Sequence, residues 1–403
     1  MRWFLICSMC GAVVTACGGD DAPSSMSGNG GTDAGLGGSD VSGGSSGVGG
    51  TGNGGAGGMG SGGAGGGALG GSGGAGGSGS GGGSGGTGGA CVVNPPLPSG
   101  ALTRSPQNPV LKNGPENYDS DKTGPRVILK LGASDYRLWY EAVNKGNTLT
   151  SVALATSTDG IAWSKQGVVM QPAQSWEGNE ISPNSMLYDG STFRLYYHAG
   201  GNALPNRNIG TATSSDGKTW TRVTTPILSV GSAGSFDDDQ VAEPRVFKLS
   251  TGYRMYYTGH NAASGKNALG MAESSDGVTW TKSAQNPVIG VNAWGNFWGG
   301  AFFHEGGRWF MWHGVESGQN SALHFATSND GISWKPGPSN PVLGQNPDTK
   351  APDYSLVGDS VSGFRDGDVI RVYYTGFNIN LFGTDGRFEG ICMASITSPQ
   401  ACD

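Results

Sequence analysis

Ser157-Thr158-Asp159-Gly160-Ile161-Ala162-Trp163 decides the fold of this chain, because the same unit returns three more times. It recurs as Ser214-Ser215-Asp216-Gly217 with Trp220, Ser274-Ser275-Asp276-Gly277 with Trp280, and Ser328-Asn329-Asp330-Gly331 with Trp334. Asp followed by Gly suits a tight hairpin whose glycine takes positive φ, and a tryptophan three residues on packs between sheets. A period of 54 to 60 residues is that of propeller blades. Repetition in four units favours a structural role for the turn, since a catalytic site is rarely needed four times.

Upstream of each unit lies an alternating β-branched or aromatic run: Tyr136 to Glu141, Phe193 to His198, Tyr253 to Thr258 and Trp309 to His313. A fifth run, Val369 to Thr375, has no Asp-Gly-Trp unit after it. Its missing outer strand is at the other end of the chain. Pro226-Ile227-Leu228, Asn286-Pro287-Val288-Ile289 and Asn340-Pro341-Val342-Leu343 each follow a tryptophan, whereas Asn108-Pro109-Val110-Leu111 has no blade before it. Residues 107 to 111 are therefore expected to complete blade five and close an all-β, five-bladed propeller over residues 91 to 403, removing its open sheet edges.

The first ninety residues have a different character. Arg2 precedes a short apolar run from Trp3 to Ala16 that ends in Val14-Thr15-Ala16-Cys17. The run is too short for a membrane span, which needs about 20 apolar residues, and reads as an export signal over 1–16. Its end is similar to a bacterial lipobox. That resemblance implies lipidation of Cys17 and, with Gly18 following, an outer-membrane or cell-surface location. Residues 18–90 carry 38 of the chain's 77 glycines, four Asp and no Lys or Arg. With almost nothing apolar to bury, this stretch is expected to be a disordered spacer.

The remaining 313 residues hold 23 basic and 27 acidic side chains, a balance that argues against nucleic acid and suits a neutral ligand. Three cysteines fall in this part, Cys91, Cys392 and Cys402. One disulfide is expected, with Cys91–Cys402 first among the three pairings because it would clasp the seam. No cysteine spacing of metal-site type occurs.

In a four-stranded meander, the starts of the inner strands and the ends of the second strands share one face, opposite the Asp-Gly turns. That face collects Asp119, Asp121, Glu177, Glu180, Asp237, Asp238, Asp239, Glu243 and Asp359, with Glu141, His198, His260, Asn261, His313 and Asn378, and with Trp294 and Trp298 on blade four. Carboxylates, imidazoles and indoles around a funnel are what carbohydrate recognition needs. Hydrolysis further needs one protonated acid and one ionised carboxylate across the sugar.

The inner-strand entries Thr123-Gly124-Pro125-Arg126-Val127, Ile181-Ser182-Pro183-Asn184 and Ala242-Glu243-Pro244-Arg245-Val246, with the Tyr-Tyr strands and Asp-Gly-Trp turns, resemble the five-bladed furanosidase superfamily. It includes glycoside hydrolase families 43 and 32: arabinanases, xylosidases, invertases, levanases. The resemblance implies an Asp of blade one as base or nucleophile, a supporting Asp of blade two, and a Glu of blade three as acid, commonly before proline. Glu243-Pro244 matches the last, but Gly124 and Ser182 stand where relatives carry Asp. The expected catalytic set is thus Glu243 as acid, with Asp121 and Glu180 as the nearby carboxylates. Trp294, Trp298, His198, His260, Asn261, His313, Arg245, Asp359 and Asp239 are the expected sugar contacts, although packing between blades is a competing reading for the tryptophans and hydrogen-bonded blade ends for the histidines. No cofactor is expected; a calcium ion on the axis occurs in some relatives, but no cluster here has calcium-loop spacing. The expected partner is carbohydrate, with the membrane reached only through the lipid and the protein a monomer.

Overall fold

The structure, a computed structural model, describes residues 91–401 apart from 202–203, 291–293, 295, 318–319 and 384–385. The export signal, Cys17, the glycine-rich spacer and Cys402 lie outside the described residues, as do the side chains of Trp298 and Asp359.

Five four-stranded antiparallel sheets are formed among the described residues. Blade one is β2 (Lys122–Gly132), β3 (Asp135–Val143), β4 (Thr150–Ser157) and β5 (Ser164–Met170); blade two is β6 (Ile181–Tyr188), β7 (Phe193–Ala199), β8 (Asn208–Ser214) and β9 (Thr221–Arg222). Blade three is β10 (Gln240–Leu249), β11 (Gly252–Asn261), β12 (Lys266–Ser274) and β13 (Thr281–Lys282). Blade four is β14 (Asn296–Glu305), β15 (Arg308–Ser317), β16 (Asn320–Ser328) and β17 (Lys335–Pro336). Blade five joins β18 (Leu356–Asp366), β19 (Val369–Gly383) and β20 (Gly386–Thr397) to β1 (Thr103–Arg104) from the start of the domain.

The ring closes as the sequence indicates, but with a shifted strand. β1 itself spans Thr103–Arg104 and pairs with Ser395 and Ala394, while Leu111 makes a separate bridge to Ile391. The same separate bridge recurs as Leu228–Ile209, Leu269–Ile289 and Leu323–Leu343. The Asn-Pro copies explain why the strand is interrupted. Asn108 clamps the backbone of Met393, accepting from its N–H at 2.8 Å and donating to its C=O at 2.9 Å; Asn286 does the same to Met271 and Asn340 to Phe325. Cys91 is disulfide-bonded and Cys392 is a free thiol buried in blade five, so Cys392 is not the partner of Cys91. Beside the seam, Val92 bridges to Ala401.

Each Asp-Gly turn is locked twice. The aspartate accepts from the backbone N–H groups two and three residues on, as Asp276 does from Val278 and Thr279 at 2.8 and 2.7 Å, and the glycines at 160, 217, 277 and 331 have φ between 72° and 75°. The glycine carbonyl then accepts from an aromatic side chain of the preceding blade: Tyr373, Trp139, Tyr196 and Tyr256 in turn. Blade five has no such turn, and the Nε1 of Trp312, which would reach it from blade four, is buried without a partner. These turns are latches between blades.

A second strut repeats within blades. Tyr140, Tyr197, Tyr257 and Tyr374 donate to buried Asp119, Glu177, Asp237 and Asp353 at 2.8–2.9 Å. Each carboxylate also meets an outer-strand cation, Lys165, Arg222, Lys282 or Arg104, at 2.6–2.7 Å. Asp119, Glu177 and Asp237 are thus taken up by the scaffold. In blade four the tyrosine is replaced by His313 and the cation by Pro336, which pairs with Ala326 as Lys282 pairs with Ala272.

Candidate functional site

Every inner strand is irregular at the same height. Register shifts fall between Pro125 and Val127, Pro183 and Ser185, Ala242 and Arg245, Trp298 and Gly300, and Val357 and Val361. A bulge turns a strand's side chains, and the residues passed over are Arg126 in blade one, Asn184 in blade two, Glu243 and Pro244 in blade three and Gly299 in blade four. Glu243 comes from blade three, 8% exposed and with φ of 54°.

Three donors reach the Glu243 carboxylate. Arg126 Nη1 lies 2.8 Å from Oε1, while Gly299 N and Thr258 Oγ1 lie 2.7 and 3.1 Å from Oε2. A carboxylate of this kind is an acceptor only, and Oε1, with one donor, keeps an open lone pair. Gly299 is required by this arrangement, since a Cβ there would lie 2.6 Å from Oε2.

The same guanidinium holds a second carboxylate. Arg126 Nε donates to Glu141 Oε2 at 3.0 Å and its Nη2 is paired with that oxygen as well. Lys122 lies 3.6 Å from Glu141 and 3.5 Å from Glu389, and Ser182 Oγ donates to Glu141 at 2.7 Å. Burial alone would raise the Glu141 pKa; Arg126, then Lys122, outweigh it and hold the carboxyl well below its ordinary range. Glu141 and Glu243 are thus held on one guanidinium, Glu243 at Nη1 and Glu141 at Nε and Nη2.

Glu141 lies directly opposite Gly124. The two are cross-strand partners, and a Cβ on Gly124 would lie 3.5 Å from the Glu141 Cβ and 3.3 Å from Ser360 Oγ. The blade-one carboxylate at the axis therefore belongs to the second strand, not the first. Asp121 stands three residues upstream of Gly124, where its N–H donates to Val143 O at 3.1 Å and its carbonyl accepts from Asn113 at 3.5 Å; the structure does not bring it to Arg126. Sequence reasoning placed Glu141 on this face but missed its pairing. The clue was register: a residue opposite a glycine can fill the glycine's space.

Glu180 also lies near the axis, on blade two. It receives Arg207 Nε and Nη2 at 2.9 and 2.8 Å and faces His198 Nε2 at 3.2 Å. Burial pushes its pKa up, but Arg207 and His198 bring it down to about 2. On the far side of the imidazole, Glu243 N donates to His198 Nδ1 at 3.3 Å. His260 Nδ1 meets Asp239 Oδ2 at 2.6 Å, and Gln240 links Asp239 to Arg207. Glu180, His198, Asp239 and His260 are thus brought into one polar band around Glu243.

Other expected contacts are placed elsewhere. Arg245 donates to the carbonyls of Gly300 at 2.6 Å, Asn184 at 2.5 Å and Val361 at 2.9 Å, tying blades four, two and five across the axis. Burial lowers its pKa to about 10. Asn261 gives its amide to Ser235 O and Asp238 Oδ1, closing a loop. His313, 1% exposed, stacks between Trp294 and Phe297 with centroids at 5.5 and 5.1 Å, and burial pushes its pKa down to about 3. Trp294 accompanies it, packed on the core between blades three and four. Each of these side chains has partners within the fold itself. Among the described residues, no group of three or more His, Cys, Asp or Glu side chains is placed to hold a metal ion.

Comparison with known proteins gives this geometry a context. Residues 135–350, more than half of the chain, match the family described as glycosyl hydrolases family 32 N-terminal domain. Two uncharacterized proteins of Mycobacterium tuberculosis are each 26% identical over 196 residues, covering 43% of this chain and 64% of the relative. The chain thus matches less than two thirds of the length of those curated relatives. Among solved structures, one described as "Glycoside hydrolase" superposes with a TM-score of 0.60 at 17% identity, covering 75% of this chain and 94% of the other. A structure described by the words "The GH130 family of mannoside phosphorylases contains glycoside hydrolases that target beta-1,2 mannosidic linkages in Candida mannan" gives 0.57 at 16%, covering 78% and 99%. A thermostable family-43 glycoside hydrolase gives 0.52 at 16%, covering 70% and 91%. At these identities the superpositions establish the fold alone.

Proposed function

This chain belongs to the family of glycosyl hydrolases family 32 N-terminal domains, and from that premise we propose that it is a glycosidase with Glu243 as general acid and Glu141 as the paired carboxylate. The observation that carries the proposal is the shared guanidinium: two buried carboxyl groups from blades one and three meet at Arg126. Glu141, held ionised by Arg126 and Lys122, supplies the negative charge that an oxocarbenium-like transition state needs. Glu243 supplies the proton to the leaving oxygen from Oε1, the oxygen with an open lone pair. Substrate entry would have to draw Arg126 toward Glu141 for Oε1 to carry that proton.

The substrate class we propose is a polysaccharide or oligosaccharide of arabinan, xylan or fructan type. A lipid on Cys17 and the glycine-rich stretch after it would hold the enzyme at the bacterial surface, where substrates too large to import are met. The test is a panel of aryl arabinofuranosides, xylosides and fructans, with β-1,2-mannosides added because one structural neighbour is described with them. Turnover of none of these by the full chain would contradict the proposal.

A second reading is a glycan-binding propeller without turnover. It is favoured by Gly124 and Ser182 at the two inner-strand positions and by the engagement of both carboxylates by one arginine. Saturable oligosaccharide binding with no product after long incubation would select it.

A further inference from the structure

We infer that His198 is a positioning residue, whose neutral Nε2–H tautomer, set by Glu180, holds the backbone of Glu243 in its left-handed conformation. The inference rests on the glycosidase reading only for its activity test. Among the described residues three non-glycine positions have positive φ: Asn94, Asn147 and Glu243. Asparagine visits the left-handed region readily because its short amide can bond locally, and glutamate has no such preference. Strain of this kind persists only where the surroundings over-determine it.

What fixes Glu243 is visible in the ladder. Ala242 pairs with Thr258 and Arg245 with Tyr256, so Glu243 falls in the bulge and its N–H has no strand partner. That buried N–H goes instead to His198 Nδ1 at 3.3 Å. An imidazole nitrogen can accept only if its proton is on the other nitrogen. The other nitrogen, Nε2, faces Glu180 Oε1 at 3.2 Å, and a carboxylate there demands Nε2–H. Glu180 is itself fixed, since Oε2 takes both Nε and Nη2 of Arg207, whose Nη1 is held by Gln240 at 2.6 Å. The His198 backbone N–H is anchored too, by Asn184 Oδ1 at 3.2 Å. A chain of partners thus runs from Arg207 through Glu180 and His198 to the peptide that aims the Glu243 carboxylate at Arg126. Glu180, expected from the sequence as a supporting carboxylate of the catalytic set, acts through His198.

Two measurements on the full chain test this. Long-range ¹H–¹⁵N correlation spectra of histidine-labelled protein, with His198 assigned by its loss in His198→Asn, should show a neutral Nε2–H tautomer that becomes mixed in Glu180→Ala. A charged or Nδ1–H His198 in the wild type would overturn the inference whether or not the protein hydrolyses anything. The second uses the panel substrate that is turned over. Asparagine can place an amide oxygen at the Nδ1 position and glutamine cannot. His198→Asn should stay within about threefold of wild-type kcat, whereas His198→Gln should lower kcat at least about tenfold with KM little changed. Equal losses in the two variants would overturn it; absence of turnover by the wild type would count against the glycosidase reading and leave the tautomer result to decide this one.

Discussion

The backbone N–H of Gly299 donates to Glu243 Oε2 at 2.7 Å, and a Cβ on Gly299 would lie 2.6 Å from that same oxygen. Blade four thus contributes to the site through what it lacks. Gly299→Ala should displace the Glu243 carboxylate while leaving the contact between Arg126 and Glu141 in place. We expect kcat to fall at least about tenfold, since misplacing a catalytic group by about 1 Å can cost 100-fold, with unfolding stability lowered by about 1–3 kcal/mol. Parallel rate and thermal-denaturation measurements check this; full activity in the variant would show that the carboxylate's position there is not used.

The ion pairs around Glu180 predict an acid limit to stability. Its pKa is lowered from 4.5 to about 2, so the ionised form is the one the fold stabilises. That stabilisation is complete above pH of about 4.5, the unfolded value, and is lost as pH falls through about 2. A shift of this size corresponds to a contribution on the order of 3 kcal/mol. Glu180→Gln should therefore be less stable than wild type at pH 7, with the gap closing between about pH 4.5 and 2. Urea unfolding across that range is the check, and a gap independent of pH would contradict the assignment.

The turn latches were legible in the sequence because each is local. Ser, Asp, Gly and Trp within seven residues specify a hairpin without reference to anything distant; the four copies mark four blades, and the fifth run with the unpartnered Asn108-Pro109 copy completes the ring. The latch partner adds a steric requirement. Gly331→Ala must place a Cβ 2.3 Å from Tyr256 Oη at φ of 72°, whereas Gly146→Ala, at φ of 81°, meets nothing within 4 Å. We expect a loss of about 1 kcal/mol at Gly146 from the left-handed backbone alone, and about 2–4 kcal/mol at Gly331 when overpacking is added. Equal losses would mean that the latch carries no steric load.

The struts were less legible. Asp119, Glu177 and Asp237 stand at the strand-one entries, where acids on the funnel face are indistinguishable by sequence from acids that turn inward to Tyr and Lys or Arg. Only the register, which sets Lys282 opposite Ala272 and beside Asp237, separates them. Lys282→Met would leave buried Asp237 without its cation and should cost about 3 kcal/mol. Lys335→Met, adjacent to the position where blade four has Pro336 instead, should stay within about 0.5 kcal/mol. Chemical denaturation of both variants tests the contrast.

The proposed catalytic pair was the hardest part to read, for a related reason. Glu243 precedes a proline on an inner strand and stands out by pattern, but Glu141 lies on the second strand, where only the register with Gly124 marks it. Arg126 and Arg245 share the same Pro-Arg-Val context, yet one binds carboxylates and the other backbone carbonyls. The difference lies in which blades converge on each, and no local pattern records that.

The most direct test of Glu243 as acid compares two leaving groups in Glu243→Gln. With a sugar leaving group, which needs protonation, hydrolysis should fall by about 100- to 10,000-fold. With a dinitrophenyl leaving group, which departs as a stable anion, the same variant should keep most of its wild-type rate for bond cleavage. Equal loss on both substrates, or full activity on the sugar substrate, would contradict the assignment of Glu243.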